Sequence, residues 1–424
     1  MLTYSVKSSR PEGLTDQELF DALSYTLSDC KDKLKKVLLL PPDFTRFYSG
    51  SGKITNWYYH ALKDTCQVDI MPALGTHVPM TRAECAEMYG DIPFERFLVH
   101  NWRTDVEKIG EVPGDYINSI SEGLMKDSID VEVNRRLLDP SYDLILSIGQ
   151  VVPHEVVGMA NRNKNVFVGC GGSSMINSSH MLGAFYGLER IMGKDHTPVR
   201  KVFDYAEEHF LMHIPLVYVM TVTTGADNHV NYHGLYIGRE RKFFEMAVAH
   251  AQEVNLNFVD RTFKKVVVYM DPKEFKTTWL ANKSVYRTRM AIADGGHLIV
   301  LAAGIERFGE DEGIDRLIRK YGYVGRKRVL ELVEKNEDLR NNLSAAAHLI
   351  HGSSDDRFSI TYCTKKVSKE EVEGVNFGWM DYDQAVKLYD PAKLTDGWNT
   401  LENGEEIYYI SNPALGLWAD PKKF

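Results

Sequence analysis

The sequence predicts an α/β protein with two α/β domains, mostly parallel sheets and a cleft between the domains. The chain has 424 residues, a length typical of two or three domains. Short apolar runs alternate with helical segments, since Val37 to Leu40 and Val68 to Met71 flank the helical stretch 53–63. The same order returns later, where a helix separates Val266 to Met270 from the apolar run His297 to Ala303. Such β-α-β order is typical of doubly wound sheets.

The second domain is expected to begin after residue 262, where K-K leads into the β-branched run Val266 to Met270. We therefore expect an N-terminal α/β domain at 1–262 and a smaller Rossmann-like domain at 263–395. The tail, 396–424, contains the strand-like run E-I-Y-Y-I and is expected to return to the first domain.

Composition excludes several classes of protein. The content of 44% hydrophobic and 26% charged residues is ordinary for a globular protein, and the net charge of -9 argues against a nucleic-acid partner. The sequence has no apolar run of the roughly 18 residues that a membrane span needs, and no recognisable signal peptide, so we expect a cytoplasmic protein. Five widely spaced cysteines without a C-x-x-C pair fit neither a disulfide framework nor a zinc finger.

The segment from Asp143 to His180 contains the densest set of chemically useful residues. Leu144 to Ile148 reads as a buried strand, so His154 should lie just beyond a carboxyl strand end, where open α/β sheets place ligands. Lys164 follows ten residues later in the polar turn N-R-N-K-N.

A second strand is predicted after this turn, from Val166 to Val168. It leads into G-C-G-G-S-S, whose glycines Gly171 and Gly172 could approach a phosphate or a substrate closely. His180 ends the segment.

Two earlier loops repeat the pattern of a strand followed by polar residues. The residues from Asp43 to Arg46 read D-F-T-R and follow directly after Val37 to Leu40. A helix cap and a functional site explain this motif equally well. After Val68 to Met71, the turn P-A-L-G-T-H-V-P-M-T presents His77, and Thr81 is expected to cap the next helix.

These motifs together resemble the lactate racemase family, the nickel-pincer-nucleotide enzymes. The resemblance lies in D-F-T-R, in G-T-H-V-P-M-T, and in Pro153-His154 followed by Lys164 and His180. In that family a lysine is joined through a thioamide to a pyridinium mononucleotide. The nucleotide holds nickel by one carbon and two sulfurs, and a histidine is the remaining ligand.

The resemblance implies a role for each motif. Lys164 would be the cofactor tether, His180 the nickel ligand, and His77 and His154 the acid/base pair. Asp43 would lie near the cofactor.

The substrate carboxylate would be bound by Arg46 and by Lys283, which stands twelve residues before a G-G pair in the second domain. Near residue 345 the family usually carries a ring-stacking aromatic residue. This chain has N-N-L-S-A-A-A-H there, with His348 as a substitute.

The implied activity is racemisation or epimerisation of a small 2-hydroxy acid by reversible hydride transfer. Cofactor-synthesis enzymes would be partners; the sequence fixes neither the acid nor the oligomeric state. A nicotinamide-dependent hydroxy-acid dehydrogenase is an alternative, although G-C-G-G-S-S does not fit G-x-G-x-x-G. A non-catalytic nucleotide- or nickel-binding homologue is another.

Overall fold

A computed structural model describes residues 2–226, 229–414 and 416–424. The chain divides into two compact units. The first unit runs to Tyr186 and resumes at Ile191–Asn255, and the second unit comprises Gly187–Arg190 and Leu256–Phe424. Among the described residues, no helix has both the length and the apolar character needed to cross a bilayer.

The first unit contains ten strands and most of the helices of the N-terminal half. The strands are β1 (Tyr4–Lys7), β2 (Lys36–Leu40), β3 (Gln67–Ile70), β4 (Val106–Val112), β5 (Ile129–Asn134), β6 (Leu144–Gln150), β7 (Pro153–His154), β8 (Gly158–Met159), β9 (Leu216–Ala226) and β10 (His229–Gly238). The α-helices up to the end of this unit are α1 (Asp16–Leu27), α2 (Ser51–Leu62), α3 (Arg82–Tyr89), α4 (Gly114–Ile120), α5 (Ser173–Tyr186), α6 (Leu188–Ile191), α7 (Pro198–Phe210) and α8 (Arg241–Asn255).

A six-stranded mixed sheet forms the centre of the first unit, in the order β1-β10-β9-β6-β2-β3. Strands β9, β6, β2 and β3 are parallel, and β10 and β1 add to the sheet in antiparallel pairs. Consequently β2, β3 and β6 end at the same edge of the sheet. The strands predicted at 37–40, 68–71 and 144–148 are confirmed.

Helices cover both faces of this sheet because its central strands are apolar on both sides. Alternate residues of β2 point to opposite faces: Leu38 and Leu40 join one core, and Val37 and Leu39 join the other. The first core includes residues of α5, α7 and α8, and the second includes residues of α1, α2 and α3. The predicted α/β class with parallel-rich sheets is thus confirmed.

The second unit is built around its own six-stranded sheet. Its strands are β11 (Leu256–Phe258), β12 (Phe263–Tyr269), β13 (Ile292–Leu301), β14 (Ser359–Thr364), β15 (Gly378–Asp381), β16 (Gly397–Thr400), β17 (Glu406–Ile410) and β18 (Leu417–Ala419). Its helices are α9 (Thr278–Ala281), α10 (Lys283–Thr288), α11 (Glu312–Tyr321), α12 (Arg326–Lys335), α13 (Glu337–Arg340), α14 (Leu343–His351), α15 (Lys369–Gly374) and α16 (Tyr382–Leu388).

The sheet order in the second unit is β15-β14-β13-β12-β17-β16, and every pair is parallel except β16 with β17. This pairing contradicts the prediction that the tail 396–424 returns to the first domain. Strand β17 instead extends the second sheet, because its apolar face packs against Val267 and Ile299. The second unit also begins at Leu256, a few residues before the predicted boundary, since β11 pairs with β18.

Two other local predictions were wrong. The segment predicted as a strand at 166–168 is part of a π-helix, Asn165–Gly169. Three buried apolar residues suit a turn of helix as well as a strand, and here the side chain of Asn165 bonds back to Asn161 at 3.1 Å. The helix predicted between β12 and β13 is two short helices, α9 and α10, which meet at Asn282.

The position of β17 can be tested with Ile407→Ala. Ile407 is fully buried in the second core, so the substitution should lower the free energy of unfolding by about 2–5 kcal/mol. The control Glu402→Ala changes an exposed residue before β17 and should alter stability by less than about 0.5 kcal/mol. Hydrogen exchange would locate the loss. Faster exchange in β12 and β17 is expected, whereas loosening confined to β2 and β6 would contradict the assignment.

Candidate functional site

The loops that follow β2, β3 and β6 carry four of the predicted site residues. Asp43 and Arg46 follow β2, His77 follows β3, and His154 follows β6. Because β2 pairs with both β3 and β6, these loops emerge side by side at the carboxyl edge of the sheet. This edge is where open α/β sheets bind ligands.

Backbone hydrogen bonds join these loops to one another. The amide of Ala73 donates to the carbonyl of Pro41 at 2.8 Å, which ties the β3 loop to the β2 loop. The amide of Gly75 donates to the carbonyl of Gly169 at 2.9 Å, which ties the same loop to the π-helix. The loops are therefore held in a fixed arrangement by the chain itself.

The half-buried His77 pairs with the buried Asp43. The Nδ1 atom of His77 lies 2.5 Å from Oδ2 of Asp43, and Oδ1 of Asp43 accepts from the amide and hydroxyl of Thr45 at 3.1 and 2.6 Å. Burial opposes ionisation of Asp43, but the charge of His77 and these hydrogen bonds outweigh it and lower the pKa of Asp43 to about 2. When the ring of His77 is neutral, the ionised Asp43 holds the remaining proton on Nδ1, so Nε2 carries the lone pair.

Arg46 lies half-buried in the short helix Phe44–Ser49, directly after Thr45, which bonds to the capping carboxylate of Asp43. Its charge contributes to the low pKa of Asp43, after the larger effects of burial, His77 and Thr45. In the described part of the chain, no carboxylate lies within ion-pair distance of its guanidinium. A half-buried guanidinium of this kind suits an anionic ligand.

His154 lies in a tight hairpin formed by β7 and β8, in which it pairs with Gly158. The ring is buried, and its Nδ1 accepts a hydrogen bond from the amide of Val156 at 3.1 Å. Nδ1 is therefore unprotonated in this arrangement, and Nε2 carries the proton of the neutral ring. The carboxylate of Glu155 lies 3.8 Å from Nδ1.

Lys164 lies directly before the π-helix, and His180 lies in α5. Lys164 is half-buried. In His180, Nδ1 donates to the carbonyl of Ile176 at 2.6 Å, which leaves the lone pair on Nε2. Burial is the main cause that lowers the pKa of His180 to about 4, and the charge of Lys164 lowers it further by a smaller amount. The hydrogen bond to Ile176 and the charge of Glu155 act in the opposite direction.

These features fit a metal held by His180 beside a group on Lys164. A neutral imidazole whose Nδ1 is bonded to a backbone carbonyl is the usual state of a histidine ligand. The charge of Lys164 contributes to the low pKa of His180, as a smaller effect than burial. The donor set of the chain thus fits the implied cofactor.

Gly171 and Gly172 were predicted to approach a cofactor. Close packing against other atoms of the chain instead explains why neither position has room for a side chain. A Cβ atom on Gly171 would lie 1.8 Å from the carbonyl oxygen of Phe167, and one on Gly172 would lie 2.3 Å from a carboxylate oxygen of Glu132. The same Glu132 oxygen accepts from the amide of Ser174 at 2.9 Å, at the start of α5. A carboxylate at this position disfavours a phosphate there.

Lys283 and His348 belong to the second unit. Lys283 is buried at the start of α10, with its Nζ 5.3 Å from the centre of the Phe275 ring. His348 is stacked on Trp279 at 4.4 Å, and its two nitrogens bond to the hydroxyls of two buried tyrosines, Tyr286 and Tyr323, at 2.8 Å each. His348 is therefore an internal packing residue within the second unit, and substrate binding by Lys283 stays a prediction.

Sequence reasoning missed two features of the first unit. The pairing of Asp43 with His77 joins residues 34 positions apart, and only the parallel register of β2 and β3 reveals it. Glu155 is not among the predicted site residues, although its position next to His154 in the sequence was a signal that its carboxylate would lie near that histidine.

The N-terminal part of the chain matches a known family of domains. Residues 16–190 match the family of the lactate racemase N-terminal domain, a range that contains every predicted site residue except Lys283. No curated protein matches the chain.

Two solved structures share the fold. One is a crystal structure of a protein from Thermotoga maritima determined by the Northeast Structural Genomics Consortium. It has a TM-score of 0.83 and 24% identity, over 97% of this chain and 99% of that one. The other is the lactate racemase apoprotein from Thermoanaerobacterium thermosaccharolyticum, with a TM-score of 0.66 and 16% identity, over 92% of this chain and 88% of that one. Residues 16–190 therefore match the lactate racemase N-terminal domain, and the chain has the fold of these two solved structures.

Proposed function

We propose that the protein is an isomerase that racemises or epimerises a small 2-hydroxy acid by reversible hydride transfer, with a nickel-pincer nucleotide attached to Lys164. The observation that carries the proposal is the combination at one sheet edge of the half-buried His77 and the buried His154, on loops after the two strands that flank β2. In the proposal Lys164 is the tether and His180, whose Nδ1 is bonded to the carbonyl of Ile176, is the metal ligand.

Inversion at a hydroxyl-bearing carbon requires hydrogen to leave one face and return to the other. The bound cofactor would supply hydride acceptance and return at that carbon. His77 takes the hydroxyl proton at Nε2, and the Asp43 carboxylate on Nδ1 stabilises the imidazolium that results. His154 exchanges the proton on its Nε2 with the substrate in the opposite direction, while its Nδ1 accepts from the amide of Val156.

Arg46 binds the substrate carboxylate in this proposal, and Lys283 is its second cation. The guanidinium of Arg46 offers paired donors that match a carboxylate. Its position after β2, next to the Asp43–His77 pair, would place the carboxylate beside the base. The partners are the 2-hydroxy acid and the enzymes that make the cofactor.

A nicotinamide-dependent dehydrogenase is less well supported. Such an enzyme binds the dinucleotide pyrophosphate at a glycine-rich turn before a helix. The turn before α5 is instead occupied by Glu132, whose carboxylate accepts from Ser174.

Lys164→Ala tests the tether. In protein produced together with the cofactor-synthesis enzymes, we expect an intact-mass adduct and bound nickel in the wild type, and neither in the variant, because no other amine replaces Lys164. The control Lys201→Ala changes an exposed lysine on α7 and should keep both. An adduct that maps to another lysine would refute the assignment.

His77→Ala and His154→Ala test the acid/base pair. Each should slow racemisation by roughly 10² or more, the usual contribution of a positioned acid or base. Turnover is measured on loaded protein by chiral chromatography of the product, with His213→Ala, an exposed histidine of the first unit, as control. Near-normal turnover in either variant would exclude that residue from the pair. Loaded wild-type protein that turns over no 2-hydroxy acid would favour the non-catalytic alternative.

Arg46→Lys tests carboxylate binding. An ammonium group cannot make the paired contacts of a guanidinium, so we expect kcat/KM to fall roughly ten- to hundredfold, mainly through KM, as for a loss of about 1.5–3 kcal/mol. The control Arg96→Lys alters an exposed arginine after β3. If KM is unchanged and nickel retention falls instead, Arg46 contacts the cofactor rather than the substrate.

A further inference from the structure

The turn that carries Lys164 has a strained backbone. Asn161 and Arg162 adopt φ values of +71° and +54°, and both residues are buried. Consecutive non-glycine residues in the left-handed region are uncommon, and they persist only where surrounding structure holds them. The structure therefore needs specific contacts that keep Lys164 in place.

Some of these contacts lie within the turn. The side-chain amide of Asn161 donates to the carbonyl of Gly149 at the end of β6, and its oxygen accepts from the amide of Arg162 at 2.7 Å. Asparagine tolerates the left-handed conformation because its short polar side chain can bond locally in this way. These bonds fix the beginning of the turn against the central sheet.

One face of α7 supplies the remaining contacts. Arg200, Asp204 and Glu207 are spaced by four and three residues, which places them on the same side of the helix. Asp204 accepts from Arg162 at 2.5 Å and from the side chain of Asn163 at 2.7 Å. Glu207 accepts from Asn163 at 3.1 Å.

Arg200 connects two different segments. Its guanidinium donates to the carbonyl of Met159 at 2.6 Å, to the carbonyl of Asn161 at 3.3 Å, and to the side-chain oxygen of Asn163. Met159 lies in β8, which pairs with the strand of His154, whereas Asn161 and Asn163 belong to the turn of Lys164. Arg200 is fully buried, and its guanidinium lies 4.5 Å from the centre of the Phe244 ring.

The first residues of α7 reinforce the same connection. The hydroxyl of Thr197 caps the helix by accepting from the amide of Arg200 at 3.1 Å, and it donates to the carbonyl of Val157 in the His154 hairpin at 2.9 Å. The start of α7 is therefore bonded to both the hairpin and the turn.

We propose that Arg200 is a positioning residue that holds the Lys164 turn and the His154 hairpin in a fixed relation, so that the tether and the acid/base group act on one substrate. This inference rests on the proposed function of Lys164 and His154. The planar fork of Arg200 bonds to three acceptors at once, which an ammonium group on a flexible stem does not reproduce.

The test uses protein made without cofactor, so that it does not depend on turnover. Trace acylation followed by mass spectrometry measures the reactivity of the Lys164 amine, and a thermal melt measures stability. Arg200→Lys should raise the acylation rate of Lys164 about tenfold or more, as expected when a charge-assisted hydrogen bond that closes the turn is lost. Asn163→Ala, which removes one acceptor and leaves Arg200 in place, should give a smaller rise.

Arg289→Lys is the matched control. Arg289 is also buried and donates to two backbone carbonyls, those of His351 and Ser353 at 3.3 and 3.0 Å, but it lies in the second unit. The substitution should lower the melting temperature without changing the reactivity of Lys164. If Arg200→Lys and Asn163→Ala leave Lys164 no more reactive than Arg289→Lys does, the positioning role is wrong.

Loaded protein provides the second readout. Arg200→Lys should lower kcat more than it changes KM, because the substrate-binding residues are untouched. If the wild-type protein forms no adduct at Lys164, but the acylation rate of Lys164 rises in Arg200→Lys as expected, the proposed function fails. The structural role of Arg200 then stands. An adduct at Lys164 with unchanged acylation in the variants overturns the role of Arg200 alone.

Discussion

The pairing of β2 with β3 on one side and β6 on the other is the constraint on which the site depends. Parallel strands end at the same edge, so this register brings together three loops that are distant in sequence. It sets Asp43 beside His77, and it brings the chain that leads into the His154 hairpin out next to the β2 loop. The apolar character of the strands on both faces fixes the register, because a shift by one residue would exchange the two cores above and below the sheet.

Three histidines at this edge are each held through Nδ1 by the chain. His77 donates to Asp43, His180 donates to the carbonyl of Ile176, and His154 accepts from the amide of Val156. The shared consequence is that in the neutral rings Nε2 carries a lone pair in His77 and His180 and a proton in His154. Under the proposed function these states suit a metal ligand at His180, a base at His77 and an acid at His154, before any cofactor or substrate binds.

Sequence patterns predicted those parts of this arrangement that depend on local order. A short apolar run followed by a polar turn identified the loops of Asp43, His77 and His154, because strand ends and turns are encoded by neighbouring residues. The partner of Asp43 depends on strand register, and the π-helix after Lys164 depends on how Asn165 bonds to Asn161, so neither could be read from periodicity. The strand E-I-Y-Y-I was found, but its sheet was not, since apolar periodicity does not specify which strand is the neighbour.

The tautomers of the three histidines are the most direct test of the central claim, that the chain prearranges the site by itself. Nitrogen-15 NMR of histidine-labelled protein made without cofactor, assigned with single-histidine variants, reports which ring nitrogen carries the proton at neutral pH. The account predicts protonated Nδ1 in His77 and His180 and protonated Nε2 in His154. A proton on Nε2 of His180, or rings of His77 and His154 that exchange freely between tautomers, would contradict it.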